Sequence, residues 1–284
     1  MSGAALYLVS TPLGNLQDLS PRGTDVLRTA DVLYAEDTRT AARLLNELGI
    51  PRSVQSCFDG NEAQRAEEVA AHFAAGKTVA LFSEAGTPAV SDPGYRMVQA
   101  AIAAGVRVVP VPGPSAVLCA LVASGLATDK FYFGGFLPRK QGARRQAIGE
   151  VKQLAATLIF FESPMRTAET LADMLAVLGD RPATVARELT KTYEEFVRAP
   201  LSQLFAQYEH ERPLGEITLV VAGAHEAGAT SDSEVTLEDQ ARALLAAGLS
   251  AKDAAQKLAF DTGVPRRQAY ALVLELARTG ASDL

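Results

Sequence analysis

Over its first ~115 residues this chain alternates short apolar runs with amphipathic stretches, a pattern that admits few architectures. The runs Leu6–Ser10, Val32–Glu36, Ser53–Phe58, Thr78–Ser83 and Val106–Val111 predict strands. Between them, Pro21–Ala30, Thr38–Leu48, Glu62–Ala75 and Tyr95–Ala104 repeat apolar residues at i, i+3 and i+4, which predicts helices. Ser20 before Pro21 is a helix-start signal. Strands separated by helices pair in parallel, so this half is expected to be an α/β domain.

A second set of strands follows at Phe131–Phe136, Thr157–Glu162, Thr184–Glu188, Glu194–Arg198 and Glu216–Gly223. The third and fourth are too close for a crossover helix, so the second α/β domain should be mixed. The acidic, small-residue stretch after Gly223 reads as a linker. Beyond it, Leu237–Ala246, Ala251–Asp261 and Arg266–Arg278 predict three amphipathic helices, with Ser250 as an N-cap. The expected division of the 284 residues is therefore 1–116, 117–223, a linker at 224–234, and a helical domain at 235–284.

A net charge of -6 excludes a uniformly basic nucleic-acid coat, so any polyanion must be met by a local patch. Cys57 and Cys119 lie far apart, and His72, His210 and His225 lack ligand spacing. Neither a disulfide framework nor a metal site is expected, and a reducing cytoplasm fits. The uncharged stretch Val108–Thr128 is broken by Pro110, Pro112, Gly113 and Pro114, which turns a membrane-like run into a strand end and a helix start. The N-terminal residues lack the basic and apolar regions of a secretory signal. No two glycines stand at i and i+2, so the dinucleotide fingerprint is missing. Gly76-Lys77-Thr78 precedes a strand, with Ala71 where a phosphate loop needs its first glycine.

Three strand-to-helix corners carry unusual chemistry. They are Thr11-Pro12-Leu13-Gly14-Asn15-Leu16, the segment from Ser83 through Glu84-Ala85-Gly86-Thr87-Pro88 to Asp92-Pro93-Gly94, and Pro112-Gly113-Pro114-Ser115-Ala116. Each follows a strand's carboxyl end, where open α/β sheets place ligands, and together they suggest one pocket. Composition alone also fits rigid loops, with Asp92 capping the next helix.

These corners, read with LYLVSTPLGNLQDLSPRGTDVLRTADVLYAEDTRT, SEAGTPAVSDPG, VPGPSA and GEITLVV, resemble the tetrapyrrole methylase superfamily, and within it the branch acting on small-subunit ribosomal RNA. The resemblance runs from about Ala4 to Gly223, and the last helices resemble that branch's helix-turn-helix-like extension. It implies two α/β domains with S-adenosylmethionine (SAM) in the cleft between them, methyl transfer to a cytidine ribose 2′-oxygen of 16S rRNA, and a homodimer. It also implies a cofactor pocket lined by Pro12, Glu84, Ala85, Gly86, Thr87, Pro88, Asp92, Pro112, Gly113, Pro114, Ser115, Ala116, Phe161, Glu162, Ser163, Gly215 and Glu216. Two positions depart from the family pattern: Glu84 stands where the loop usually has aspartate, and Cys57-Phe58-Asp59-Gly60 lacks the usual histidine before Asn61-Glu62.

Methyl transfer asks the protein to align donor and acceptor, and a base near the weakly acidic ribose hydroxyl helps. Glu36, Asp37, Glu62 and Glu84 are the candidates, although Asp37 and Asn61 are equally placed as helix caps. Arg39 and Arg43 share a helical face suited to phosphates or to surface ion pairs. Arg139, Lys140, Arg144, Arg145 and Lys152 form a local basic patch that reads as an RNA contact or a solvated face, with Gly142 suggesting a mobile loop. Phe131, Tyr132, Phe133 and Phe136 beside it serve a strand core or base stacking, and alternation lets at most half face a cleft. Two other functions stay open: methylation of a tetrapyrrole carbon, and a DNA-binding regulator that reads through its C-terminal helices.

Overall fold

The computed structural model describes residues 3–224, 237–247, 249–262 and 264–279. The chain separates into two compact units, Met1–Ala227 and Gly228–Leu284.

The first unit holds two sheets. Strands β1 (Ala5–Val9), β2 (Val32–Ala35), β3 (Gln55–Ser56), β4 (Thr78–Phe82) and β5 (Arg107–Val111) form a parallel sheet in the order β3-β2-β4-β1-β5. Helices α1 (Pro21–Thr29), α2 (Thr38–Glu47), α3 (Glu62–Ala74) and α4 (Tyr95–Ala103) connect them. Leu27, Ala41 and Leu45 of α1 and α2 fill one face of the sheet, while Val69, Phe73, Met97 and Ala101 of α3 and α4 fill the other. Ser20 caps α1 by accepting from Gly23 N at 3.0 Å, and Pro21 follows it as the first helical residue. Pro110 is tolerated in β5 because that strand lies at the sheet edge, where one row of N–H groups needs no partner.

The second sheet is mixed and comprises Phe131–Phe136 (β6), Thr157–Glu162 (β7), Pro182–Arg187 (β8), Glu195–Pro200 (β9) and Ile217–Val221 (β10), in the order β6-β7-β10-β8-β9. Only β6 and β7 pair in parallel. Helices α6 (Gln141–Glu150), α7 (Thr167–Leu178) and α8 (Leu201–His210) cover one face, with Ile148, Leu171, Met174, Leu201 and Leu204 in the core. The other face carries α5 (Ala116–Ser124), through Val117, Ala120 and Leu121 packed with Ile159, Ala186 and Val220. Leu13 and Ala85, from corners of the first sheet, join this same cluster, so the carboxyl ends of the first sheet abut the second sheet.

The second unit contains α9 (Leu237–Ala246), α10 (Ala251–Thr262) and α11 (Arg266–Thr279), packed through Ala241, Ala254, Leu258, Ala269 and Val273. Ser250 caps α10, accepting from Asp253 N at 3.2 Å. The expected linker lies outside the described residues apart from Ala224. Among the described residues no helix is long and apolar enough to cross a membrane.

Candidate active site

Parallel pairing brings the ends of three strands level: Val9 of β1 stands opposite both Phe82 of β4 and Val111 of β5. The three corners therefore meet. Thr11 and Gly86 exchange backbone hydrogen bonds of 2.9 and 3.0 Å, and the Thr11 hydroxyl donates to the Ser83 carbonyl at 2.9 Å. Ser83 in turn donates to Gly86 O at 2.6 Å, and Thr87 Oγ1 donates to Pro114 O at 3.1 Å, tying the second corner to the third. Gly113 lies so close to β1 that a Cβ there would sit 2.9 Å from Ser10 Cβ. Pro12, Gly86 and Pro88 are buried and shape these turns. Ala85, Thr87, Asp92, Pro114, Ser115 and Ala116 are partly accessible, and Glu84, Pro112 and Gly113 are exposed.

The corner at Ser83–Gly94 is held in an unusual conformation, with Ala89 and Ser91 at φ of 65° and 61°. Such left-handed residues persist only when their surroundings fix them. Glu62 supplies part of that restraint. Its buried carboxylate accepts from Gly94 N at 2.9 Å and Arg96 N at 2.8 Å, capping α4 from a neighbouring helix. This corrects its expected role as a catalytic base: both bonds go to a helix N-terminus, and the side chain is occupied there. It also removes the capping function from Asp92. Asp37, the N-cap of α2, accepts from Arg39 N at 2.7 Å and pairs with the Arg39 side chain at 3.0 Å, so the capping reading holds for it. Asn61 instead bonds Phe58 N at 2.8 Å and so folds the turn before α3.

What remains is an acidic wall made of Glu36, Glu84 and Asp92. Burial, followed by repulsion from Glu36 and Glu84, pushes the Asp92 carboxyl up to about 6. Among the described residues this carboxyl forms no hydrogen bond or ion pair. Glu36 is raised as well, first by burial and then by Glu84, Asp59 and Asp37. Cys57, by contrast, is fully buried with its thiol pushed up to about 11 by desolvation, which leaves it an inert core residue.

The second sheet closes the other side. Lys191 donates to Glu188 at 2.9 Å and Glu216 at 3.1 Å, and its alkyl chain lies over Gly14 where a Cβ would collide with it. Ser91 lies beside Gly135 of β6. Phe161 packs its ring on Phe133, with centroids 4.9 Å apart, on the face that also holds Leu13 and Ala85. Ser163 follows β7, partly accessible, and Gly215 and Glu216 are exposed at the start of β10. Glu162 departs from the expected lining role. Its side chain is buried, bonded to Arg166 Nε at 2.8 Å, Thr170 Oγ1 at 2.5 Å and Ser163 N at 2.7 Å, so it fixes the turn after β7. The sequence placed Leu13 and Ser91 in corners without giving either a role of its own, and it offered none for Ser10 or Lys191. Position immediately after a strand marks Ser10, whereas no local signal marks Lys191.

The family model for tetrapyrrole (corrin/porphyrin) methylases matches residues 5–204, which take in the first sheet and every strand of the second but β10. The chain belongs to that family. A second model, the RsmI C-terminal HTH domain, matches residues 232–277 of this methylase. Ribosomal RNA small subunit methyltransferase I of Synechocystis sp. is 45% identical over 97% of this chain and 99% of its own length. The proteins of the same name from Mycobacterium bovis and Escherichia coli O157:H7 are 47% identical (98% and 97% covered) and 43% identical (96% of each). Two solved structures share the fold: uroporphyrin III C-methyl transferase from Thermus thermophilus (19% identity, TM-score 0.54, 76% of this chain and 96% of that one) and diphthine synthase (18%, 0.59, 77% and 90%).

In this methylase the basic segment beside the cleft is more ordered than its composition suggests. Gly142 lies within α6, so no mobile loop is present there. Arg144 is buried at 1% exposure, donating to Asp173 at 2.7 Å and to the Arg139 carbonyl at 3.1 Å. Its expected phosphate contact is thereby corrected, because a charge neutralised in a core cannot reach RNA. Arg145, half exposed, also bonds Asp173, at 2.6 Å. Burial alone would raise the Asp173 carboxyl, but bonds from Arg145, Arg144 and Gln141 outweigh it and hold the group below its ordinary value. Arg139, Lys140 and Lys152 stay exposed, as do Arg39 and Arg43 on α2.

Proposed function

We propose that this chain is a SAM-dependent methyltransferase that modifies a cytidine ribose 2′-oxygen of 16S rRNA in the small ribosomal subunit. One observation carries the reading: 43 to 47% identity to proteins named ribosomal RNA small subunit methyltransferase I, maintained along nearly their whole length.

The cleft residues fit the donor. A sulfonium and an ammonium suit the Glu36, Glu84 and Asp92 wall, and open N–H groups at the start of α5 suit a carboxylate. The apolar patch of Leu13, Ala85 and Phe161 suits a heteroaromatic ring. SAM, when bound, supplies an electrophilic methyl group. The work left to the chain is alignment and proton acceptance. Glu36 is the better acceptor of the two remaining catalytic candidates, since burial and three neighbouring carboxylates weaken its acidity, and Glu84 supports it electrostatically. Asp37 is held by its cap and by Arg39.

Arg139, Lys140, Arg145 and Lys152 form the RNA-facing rim, with Arg39 and Arg43 on α2 as further phosphate contacts. We read 1–116 and 117–223 as the two halves around the cleft and 235–284 as an RNA-sensing or dimer-stabilising appendage. The enzyme is assigned as a cytoplasmic homodimer. The test is transfer of labelled methyl from SAM to 16S rRNA, naked and within the small subunit, followed by mapping of alkali-resistant linkages. One protected ribose is expected. No label in either RNA while SAM binding is intact would shift the assignment to a small-molecule methylase.

A further inference from the structure

Strand β6 ends in an arrangement that packing does not explain. Strict alternation puts Phe131 and Phe133 on one face and Tyr132 and Phe136 on the other. Tyr132 obeys, its ring meeting Phe160 at 6.3 Å, and Phe160 belongs to the core under α6–α8. Phe133 obeys too, packed on Phe161 toward the cleft. Phe136 does not. Pairing with β7 steps from Phe133 opposite Ile159 to Phe136 opposite Phe161, so β6 carries one residue more than its partner. Gly135 takes the left-handed conformation at φ 62°, and a Cβ on Gly134 would collide with the Phe160 ring, so both positions call for glycine. The bulge turns Phe136 onto the cleft face, where its ring stands 5.5 Å from that of Phe161.

Having been turned there, Phe136 stays 60% exposed. Two glycines and a broken ladder thus present an aromatic face to solvent. Its neighbours are specific. Gly135 lies beside Ser91 of the corner that carries Asp92, and Arg139 and Lys140 follow, exposed and, among the described residues, without ion pairs. An open ring followed within four residues by two unpaired cations is the chemistry of single-stranded nucleic-acid recognition, in which bases stack and phosphates are neutralised. We propose that Phe136 is the platform on which the base of the methyl-accepting nucleotide stacks, with Arg139 and Lys140 holding the flanking phosphates. This rests on the assignment of RNA as substrate.

The experiment measures kcat and KM for the small ribosomal subunit, together with the SAM dissociation constant, for wild type, Phe136→Ala, Phe136→Leu and Phe136→Trp. Stacking predicts a KM for RNA raised about 10- to 100-fold in the Ala and Leu variants, SAM affinity within about 2-fold of wild type, and recovery with Trp. An exposed side chain leaves folding intact, and retained SAM binding verifies it. Unchanged KM in the Ala and Leu variants would overturn the proposal, as would Leu restoring KM as well as Trp, or SAM affinity falling in parallel. Wild-type enzyme that transfers nothing to RNA would instead refute the substrate assignment itself.

Discussion

Asp92 offers the sharpest test of the acidic wall, and the perturbation is Asp92→Asn, which keeps shape and removes charge. The carboxyl titrates at 3.8 in an open chain and at about 6 in the fold, so the native state holds its proton more tightly between those values. By linkage, stability falls as pH rises from about 4 to about 6, and the loss stays constant above. That gap corresponds to about 3 kcal/mol, which partial exposure and solvent screening reduce to about 2. Asparagine does not titrate. The variant should therefore match wild type at pH 4 and exceed it at pH 8, by about 4 to 8 °C in Tm for a unit of this size. Thermal unfolding of the full chain at a series of pH values reads this directly. Saturating SAM should narrow the difference, because a cationic ligand relieves repulsion among three carboxylates and so stabilises wild type more than the variant. A Tm difference that is flat with pH, or wild type being more stable at pH 8, would refute the account.

Other parts of the site give separate outcomes. Arg144→Ala should destabilise the protein by up to about 3 kcal/mol in urea unfolding, because it removes the buried partner of Asp173 and leaves that carboxylate to Arg145 and Gln141, while Arg144→Met with Asp173→Leu should recover most of that. Equal losses in the single and double variants would contradict a buried pair. Arg139→Ala with Lys140→Ala should leave stability unchanged and lower the salt slope of RNA binding by about 1 to 2, measured by titration at several salt concentrations. Gly113→Ala must push the third corner away from Ser10, so SAM affinity measured calorimetrically should fall with only modest loss of stability.

Elements and corners were legible because they depend on local signals: periodicity, prolines at helix starts, and glycines at strand ends. Roles that depend on distant partners were not. Arg144 looked like one of five equivalent cations, and its partner Asp173 comes from another helix. A clue existed, since Arg144 shares a helical face with Ile148, one turn on, and the buried Val151. Glu62 stood at a helix start and read as a candidate base, yet its bonds cross to Gly94 and Arg96. Phe136 was obscured by parity, because one extra residue in a strand reverses every face assignment beyond it. The three corners meet as their shared place after parallel strands suggested, whereas the charged residues around them needed the tertiary fold to be sorted.

The sorting also explains how an enzyme with a net charge of -6 can receive RNA. The carboxylates Glu36, Glu84 and Asp92 repel phosphate and gather at the carboxyl ends of the parallel strands, with Asp92 the most covered of the three. Exposed cations occupy the turn after β6 and the outer face of α2. Charge of opposite sign on separate elements divides the two ligands: the cations attract a polyanion over about a Debye length, and the clustered carboxylates favour a small cation where they converge. Burying Arg144 against Asp173 serves the same separation, since it spends one cation on holding α6 to α7 and leaves the rim to residues that solvent, and therefore RNA, can reach.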